Sequence, residues 1–582
     1  MMRRVPFAAA LLTVLAVLAV LAAAPARAQA PAPRATAGSA VTAPHAMIAS
    51  NSELASAAGV EVLREGGNAV DAAVAVGFAL AVTHPEAGNI GGGGFMVIRM
   101  ADGRTAALDY REMAPHAATR DMYADSASRA AKASQEGARA VGVPGSVAGM
   151  VTAHQEFGRL PLAKVMAPAI RLAEKGFVVD TALARSLAEE AHLIARFAGA
   201  KLFLPGGKPL AAGQKLVQPA LARTLKGIAQ HGRKGFYEGA VAKAVADEMK
   251  KDGGLITLED LREYHPAWRE PLAGTYRGWQ IIGMPPSSSG GITVVETLNI
   301  LETFAPLPPA RGAAETHLLA ESLRRAFIDR NALLGDPDFA PLPVALLLSK
   351  PYAREWAATI ARDSATSTVE AVRLAPNAGV RGGEPTNTTS YSVVDAKGNA
   401  VATTTTLNDL YGSGVYVAAA GFFLNDEMDD FTSRPGEPNG FGLVQGERNA
   451  IAPGKRMLSA MAPTIVLDSL GRVSLVVGAR GGPRIITSLV QVMLGVMEYG
   501  MPLVDAVNAP RVHEQALPDT LKYEEGALAP AVVDSLTAMG YAMAVAHFQP
   551  GGFVGRVFAV GRVKNGWVGV VDRRTSGGAA GY

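Results

Sequence analysis

Between Asp363 and Asn387 the chain loses apolar periodicity and runs through Ser, Thr, Gly, Pro and charged residues, and the residues directly after it begin a β hairpin. The hairpin reads as Thr388 to Asp395, a turn at Lys397-Gly398-Asn399, and Ala400 to Leu407. Its strands alternate and are dense in Thr, a residue suited to a pleated surface. A polar, exposed stretch that ends one residue before a strand divides the chain at residue 388. The parts on either side, 45–387 and 388–582, are each long enough to bury a core.

The rest of the chain reads as a dense globular fold. Of 582 residues 49% are hydrophobic and 18% charged, with 63 Gly and 36 Pro, which excludes a small binding module and, for most of the chain, disorder or a coiled coil. A helix is expected from Asn51 with Leu54, Ala58, Val62 and Leu63 on one face, ending at Gly66-Gly67. Asn68 caps the next, Ala69 to Val82, whose small apolar residues suit burial against a sheet. Gly88 to Gly94 then leads into a hairpin of Phe95 to Arg99 and Arg104 to Tyr110. Helices are expected over Leu162 to Lys175, Ala313 to Leu334, Ile485 to Glu498 and Ala529 to Met539. Strands are expected over Thr464 to Leu467, Val473 to Val477, Val554 to Val560 and Trp567 to Val571.

The N-terminus reads as an export signal over residues 1–28, with a cationic start at Arg3-Arg4, an apolar run from Ala8 to Ala24 and the small residues of Ala26-Arg27-Ala28 before the expected cut. A membrane anchor is the alternative. Residues 29–44, rich in Pro and Ala, read as a flexible leader. The formal charge of +3 falls to zero once Arg3, Arg4 and Arg27 are removed, so no basic face for nucleic acid is implied. The expected address is the periplasm, with no membrane span in the mature form. Cysteine is absent, so disulfides, thiol nucleophiles and thiolate metal sites are excluded.

The common hydrolase, zinc-helix and phosphate-loop motifs do not occur, and the ten His residues show no ligand spacing, so no metal and no cofactor is expected. Gly91 to Gly94 leads into a strand without a basic residue and reads as close backbone packing. A hydroxyl can nevertheless be activated without His or Cys if it belongs to the first residue of a chain. The α-amine, with a reference pKa near 8, then serves as base for its own side chain. To expose that amine at Thr388 the chain would cut itself after Asn387. Thr388, Thr389 and Thr403 to Thr406 serve equally well as plain β formers, and the pattern alone leaves both readings open.

Several motifs carry a family resemblance. Thr388 to Asp395, Thr406-Leu407-Asn408, Asn425 to Phe431, Gly454 to Ser459 and Gly481 to Ile486 together resemble the γ-glutamyltranspeptidase (glutathione hydrolase) family, bacterial type. Gly66 to Ala73, Gly91 to Phe95, Asp109 to Pro115, Val143 to Gly149, Pro285 to Gly291 and Gly577 to Tyr582 extend the resemblance over roughly residues 45 to 582. It implies an α+β, N-terminal-nucleophile hydrolase fold, a four-layer αββα sandwich built by a large subunit, 45–387, and a small catalytic one, 388–582, from one precursor. It also implies γ-glutamyl donors such as glutathione, with water, amino acids or dipeptides as acceptors. Thr388 becomes the nucleophile, Thr406 its positioning hydroxyl, and Gly481 and Gly482 the oxyanion donors. Arg111, whose fork matches a carboxylate, and Ser459 would hold the donor's α-carboxylate. Asn408, Glu427 and Asp430 would accept from its α-ammonium.

Two departures stand out. Ser459-Ala460 replaces the family's usual pair of serines, and Phe441, in the lid-length segment Ser433 to Asn449, stands where the family often has an aromatic hydroxyl. Alternative readings are a glutaryl-cephalosporin acylase or poly-γ-glutamate transpeptidase of the same fold, and a non-catalytic exported binding protein.

Overall fold

Two antiparallel sheets carry the fold in the computed structural model, which describes residues 33–374, 388–433, 445–546 and 554–582. The expected export signal, Asn387 and Phe441 lie outside the described residues. The eight-stranded sheet runs in the order Arg34–Thr36, Gly578–Gly581, Met47–Ser50, Thr389–Val394, Ala400–Thr406, Gly93–Arg99, Thr105–Tyr110 and Ala267–Arg269. The seven-stranded sheet runs Ala40–Ala43, Gly566–Val571, Arg556–Val563, Val473–Arg480, Thr464–Leu467, Trp279–Gly283 and Leu272–Tyr276.

The inner faces meet closely because small residues sit where the strands cross. A Cβ on Gly478 of one sheet would lie 2.1 Å from Ser390 Oγ of the other. Ser392 Oγ donates across the gap to the Phe558 carbonyl at 2.9 Å, which satisfies a hydroxyl buried between sheets.

Helices cover both outer faces, completing the expected αββα layering. Ala69–Thr83 is buried along its whole length beneath the Thr389–Val394 and Ala400–Thr406 strands. Asn68 Oδ1 accepts from the Val70 and Asp71 amides while Asp71 accepts from the Asn68 amide, a reciprocal cap that fixes where this helix starts. Glu53–Arg64 and Ser146–Phe157 share that face. Gly290–Glu302 and Arg484–Met497 cover the other sheet, with Ala313–Leu333 packed behind the first of them.

The structure corrects two expectations. The leader is not loose from residue 33 onward: Arg34–Thr36 pairs with Gly578–Gly581 and Ala40–Ala43 with Gly566–Val571, so the chain edges both sheets in turn. A Pro/Ala composition says little about pairing when the partner strand offers an open ladder. The stretch from Asp363 is likewise docked as far as a helix at Thr368–Leu374. Ala371 is buried, the Thr368 amide donates to Asp519 at 2.7 Å and Arg324 Nη1 donates to Thr368 Oγ1 at 2.5 Å. Ala371, with Ala365 and Val372 packed against the same core, is too sparse a set of apolar anchors to leave a periodic signal.

Candidate active site

Thr388 stands one residue before the Thr389–Val394 strand and is 4% exposed. Pairing of Thr389 with Thr405 across the hairpin carries Thr406 opposite Thr388. On its other side Thr406 pairs with Gly93, and the preceding glycines let the backbones touch: a Cβ on Gly92 would lie 2.0 Å from the Thr406 carbonyl oxygen and one on Gly91 would lie 2.1 Å from that of Phe423. The glycine-rich run is therefore close packing, as expected. Asn408 follows in the left-handed region at φ 81°, a conformation that Asn tolerates better than most residues. That turn aims its amide at Thr406 Oγ1, to which it donates at 2.7 Å, and its side-chain amide at the Asp426 carbonyl.

At the end of Val473–Arg480 the chain turns through Gly481 (φ 130°) and Gly482 (φ 56°) into the Arg484–Met497 helix. Positive φ at two successive residues explains why both are glycine. The amides around this turn sit at the positive end of a long helix, where negative charge on a nearby oxygen is stabilised.

Thr388, Thr406, Asn408 and Gly482 line one small cavity, about 20 Å³ and so room for about one water, together with Arg111, Glu427, Asp430, Ser459 and Ala460. Among the described residues expected from the sequence, only Gly481 is not in its wall, and it adjoins Gly482. Asn387 lies outside the described residues.

The cavity is narrow because opposite charges close across it. Arg111 Nη1 lies 2.5 Å from Glu427 Oε2, and Nη2 is paired with Asp430. Glu112, a residue the sequence reading passed over, lies 3.4 Å from Nη1 on the same guanidinium. Burial opposes the Arg111 charge, but Glu427, Asp430 and Glu112 outweigh it and raise the pKa. Burial in turn raises the acids, against the pull of Arg111: Asp430 to about 6, Glu112 to about 7, and Glu427 well above the usual range.

Comparison with known proteins places the chain in a family. The family model described as Gamma-glutamyltranspeptidase matches residues 55–582. The chain belongs to the γ-glutamyltranspeptidase family. It is 47% identical to "Glutathione hydrolase proenzyme" of Escherichia coli (strain K12) over 84% of each chain. It is 41% identical to "Acylase ACY 1 proenzyme" of Pseudomonas sp. (strain SE83), over 84% of this chain and 85% of that one. Among solved structures, cephalosporin acylase from Bacillus halodurans superposes with a TM-score of 0.81 at 27% identity, covering 96% of this chain and 99% of that chain.

In this γ-glutamyltranspeptidase-family chain the Pro285 to Gly291 loop, which the sequence matched without a role, holds Ser459. Ser459 N donates to the Ser287 carbonyl at 3.0 Å, and the Ser459 carbonyl accepts from Ser289 N and Oγ at 2.7 and 2.6 Å. Arg330, absent from the sequence-based candidates, lines the cavity and donates from Nε to Ser289 Oγ at 3.0 Å. Burial brings its pKa down to about 10, against the attraction of Asp430. Arg330 lies in Ala313–Leu333, a helix buried on nearly every side yet rich in charge, so no apolar stripe marks its inward face.

Proposed function

We propose that the chain is a self-processing γ-glutamyl hydrolase and transferase, exported to the periplasm, that takes glutathione and related γ-glutamyl amides. The observation that carries the reading is the single pocket joining Thr388 to a guanidinium and two carboxylates of opposite sign. An α-amino acid head offers a carboxylate and an ammonium. It replaces the Arg111–Glu427 and Arg111–Asp430 pairs with matching pairs of its own, Arg111 and Ser459 taking the carboxylate and Asn408, Glu427 and Asp430 the ammonium.

In maturation Thr388 Oγ attacks the Asn387 carbonyl carbon, its proton passes to the leaving nitrogen, and the peptide C–N bond breaks, which frees the Thr388 α-amine and leaves an ester; water then hydrolyses the ester to the Asn387 carboxylate and the free Thr388 hydroxyl. In turnover that amine takes the Oγ proton as Oγ attacks the donor's γ-carbonyl. Gly481 and Gly482 amides stabilise the oxyanion, a contribution of the order of 10²–10³ in rate for one such donor elsewhere. The tetrahedral centre collapses, the proton passes to the leaving amine, and water or an acceptor amine resolves the acyl-enzyme. The Thr406 oxygen, fixed by the Asn408 amide, positions the nucleophile.

Acylase action on a glutaryl side chain is the second reading, favoured by the names of two of the similar proteins and by Ala460. A glutaryl group lacks the ammonium and would leave Glu427 and Asp430 facing no cation of the substrate. The test is hydrolysis of γ-glutamyl and glutaryl anilides side by side. The γ-glutamyl anilide is expected to be preferred by at least about 100-fold in kcat/KM, about 3 kcal/mol; a preference for glutaryl would establish the acylase. Thr388→Ala is expected to be unprocessed and inactive, and retained turnover would remove Thr388 as the nucleophile.

A further inference from the structure

A second charged cavity takes into its wall Arg480 and Leu410, each two residues along the chain from a residue that lines the first. It has a volume of about 420 Å³, and its wall includes Arg185, Arg480, Arg556 and Arg573 against Glu86 and Glu189. Arg480 and Arg556 are direct partners across two antiparallel strands, and both are about 95% buried. Like charges placed opposite each other on a sheet repel, and burial removes the water that would screen them.

Glu86 and Asp572 attract Arg556, but among the described residues neither forms an ion pair with it. Glu86 Oε1 lies 3.6 Å from Arg480 Nη1. His84 beside Glu86 supplies no cation near neutral pH, since burial brings its pKa down to about 4. Asp572 is held by Arg511 at 2.9 Å and Arg574 at 2.8 Å. Among the described residues Arg556 forms no ion pair, and its Nε and Nη2 find no hydrogen-bond partner. A buried guanidinium in this state gains from an added anion.

Position indicates which anion. Arg480 directly precedes Gly481, and a Cβ on Gly481 would lie 3.0 Å from Cα of Gly555, the residue before Arg556. Leu410, two residues past Asn408, also lines the cavity. The two cavities share no lining residue, but Gly482 and Asn408 of the first stand two residues along the chain from Arg480 and Leu410 of the second. With the γ-glutamyl head in the first cavity, the amine side of glutathione extends two residues beyond the scissile bond and ends in a carboxylate. That span is about 7 Å in extended peptide, the same upper bound as from Gly482 to Arg480.

We propose that Arg480 and Arg556 form a subsite for the terminal carboxylate of the peptide on the amine side of the scissile bond, so that the enzyme selects donors whose leaving group is a peptide acid. The subsite rests on the γ-glutamyl reading above. Acceptor dipeptides use it too, because acyl transfer to an amine is the reverse of donor cleavage.

The test compares kcat/KM for glutathione, glutathione with its glycine carboxylate amidated, and a γ-glutamyl anilide. The wild type is expected to favour glutathione over the amide by at least about tenfold. In Arg556→Gln the glutathione-to-anilide ratio is expected to fall about tenfold, with partial recovery in Arg556→Lys. Equal use of glutathione and its amide by the wild type would overturn the subsite without any variant having to fold. A parallel loss on all three donors in Arg556→Gln would also overturn it, since that is the signature of a structural role. If the wild type cleaves no γ-glutamyl donor, the functional reading itself fails and the subsite with it.

Discussion

Three carboxyls crowd one guanidinium beside Thr388, and burial keeps them from all being ionised together. Asp430 titrates near 6 and Glu112 near 7, both raised by burial against the opposing pull of Arg111. A carboxyl whose folded pKa lies above its unfolded value adds stability below the unfolded value and loses it as pH rises through the folded one. The empty pocket is therefore less favourable near pH 7.5 than near pH 5, while a donor ammonium needs the ionised form. The competitive inhibition constant of L-glutamate is expected to weaken as pH falls from 7 to 5. Asp430→Asn is expected to flatten that limb and raise the constant at least about tenfold; an unchanged slope would remove Asp430 from the amine site. Ala460 lines the same wall. Ala460→Ser supplies a hydroxyl near the donor carboxylate and is expected to lower donor KM severalfold with kcat held within about twofold, as steady-state kinetics would show.

At the scale of elements, the proposed catalytic geometry rests on how closely the Gly91–Gly94 run approaches the Thr406 strand. Gly92→Ala would place a methyl 2.0 Å from a backbone oxygen that cannot swing aside. The end of that strand would have to move, and a displacement of about 1 Å at the reacting groups costs on the order of 10²-fold in rate. Calorimetry and kinetics on Gly92→Ala are expected to show lower Tm together with a kcat loss of that order; full kcat would mean that the strand end does not set the geometry. Elements whose local signals agree were readable in advance. The Asn68-capped apolar helix and the Thr389–Val394 and Ala400–Thr406 hairpin were among them. The edge strands at 34–43 and the helix at 368–374 were not, because their partners, Gly566–Gly581 and Asp519, are remote in sequence. The site divides in the same way. Thr388, Arg111 and Gly482 could be placed through motif resemblance, while Arg330 and the Arg480–Arg556 pair emerge only when distant strands and helices meet.

Across the whole molecule neither side of residue 388 makes a complete sheet. Thr389–Val394 lies beside Met47–Ser50, Ala400–Thr406 beside Gly93–Arg99, and Thr464–Leu467 beside Trp279–Gly283. A cut before Thr388 would therefore leave two chains bound through shared ladders and a common core, with the new N-terminus fixed at the donor pocket. The most direct measurement of this account is the intact mass of the purified protein under denaturing conditions. The account predicts two species, a small chain of 195 residues starting at Thr388, about 20 kDa, and a large one of about 37 kDa once the export signal is removed. A single uncut chain of about 57 kDa in protein that turns over γ-glutamyl anilide would contradict the N-terminal threonine mechanism.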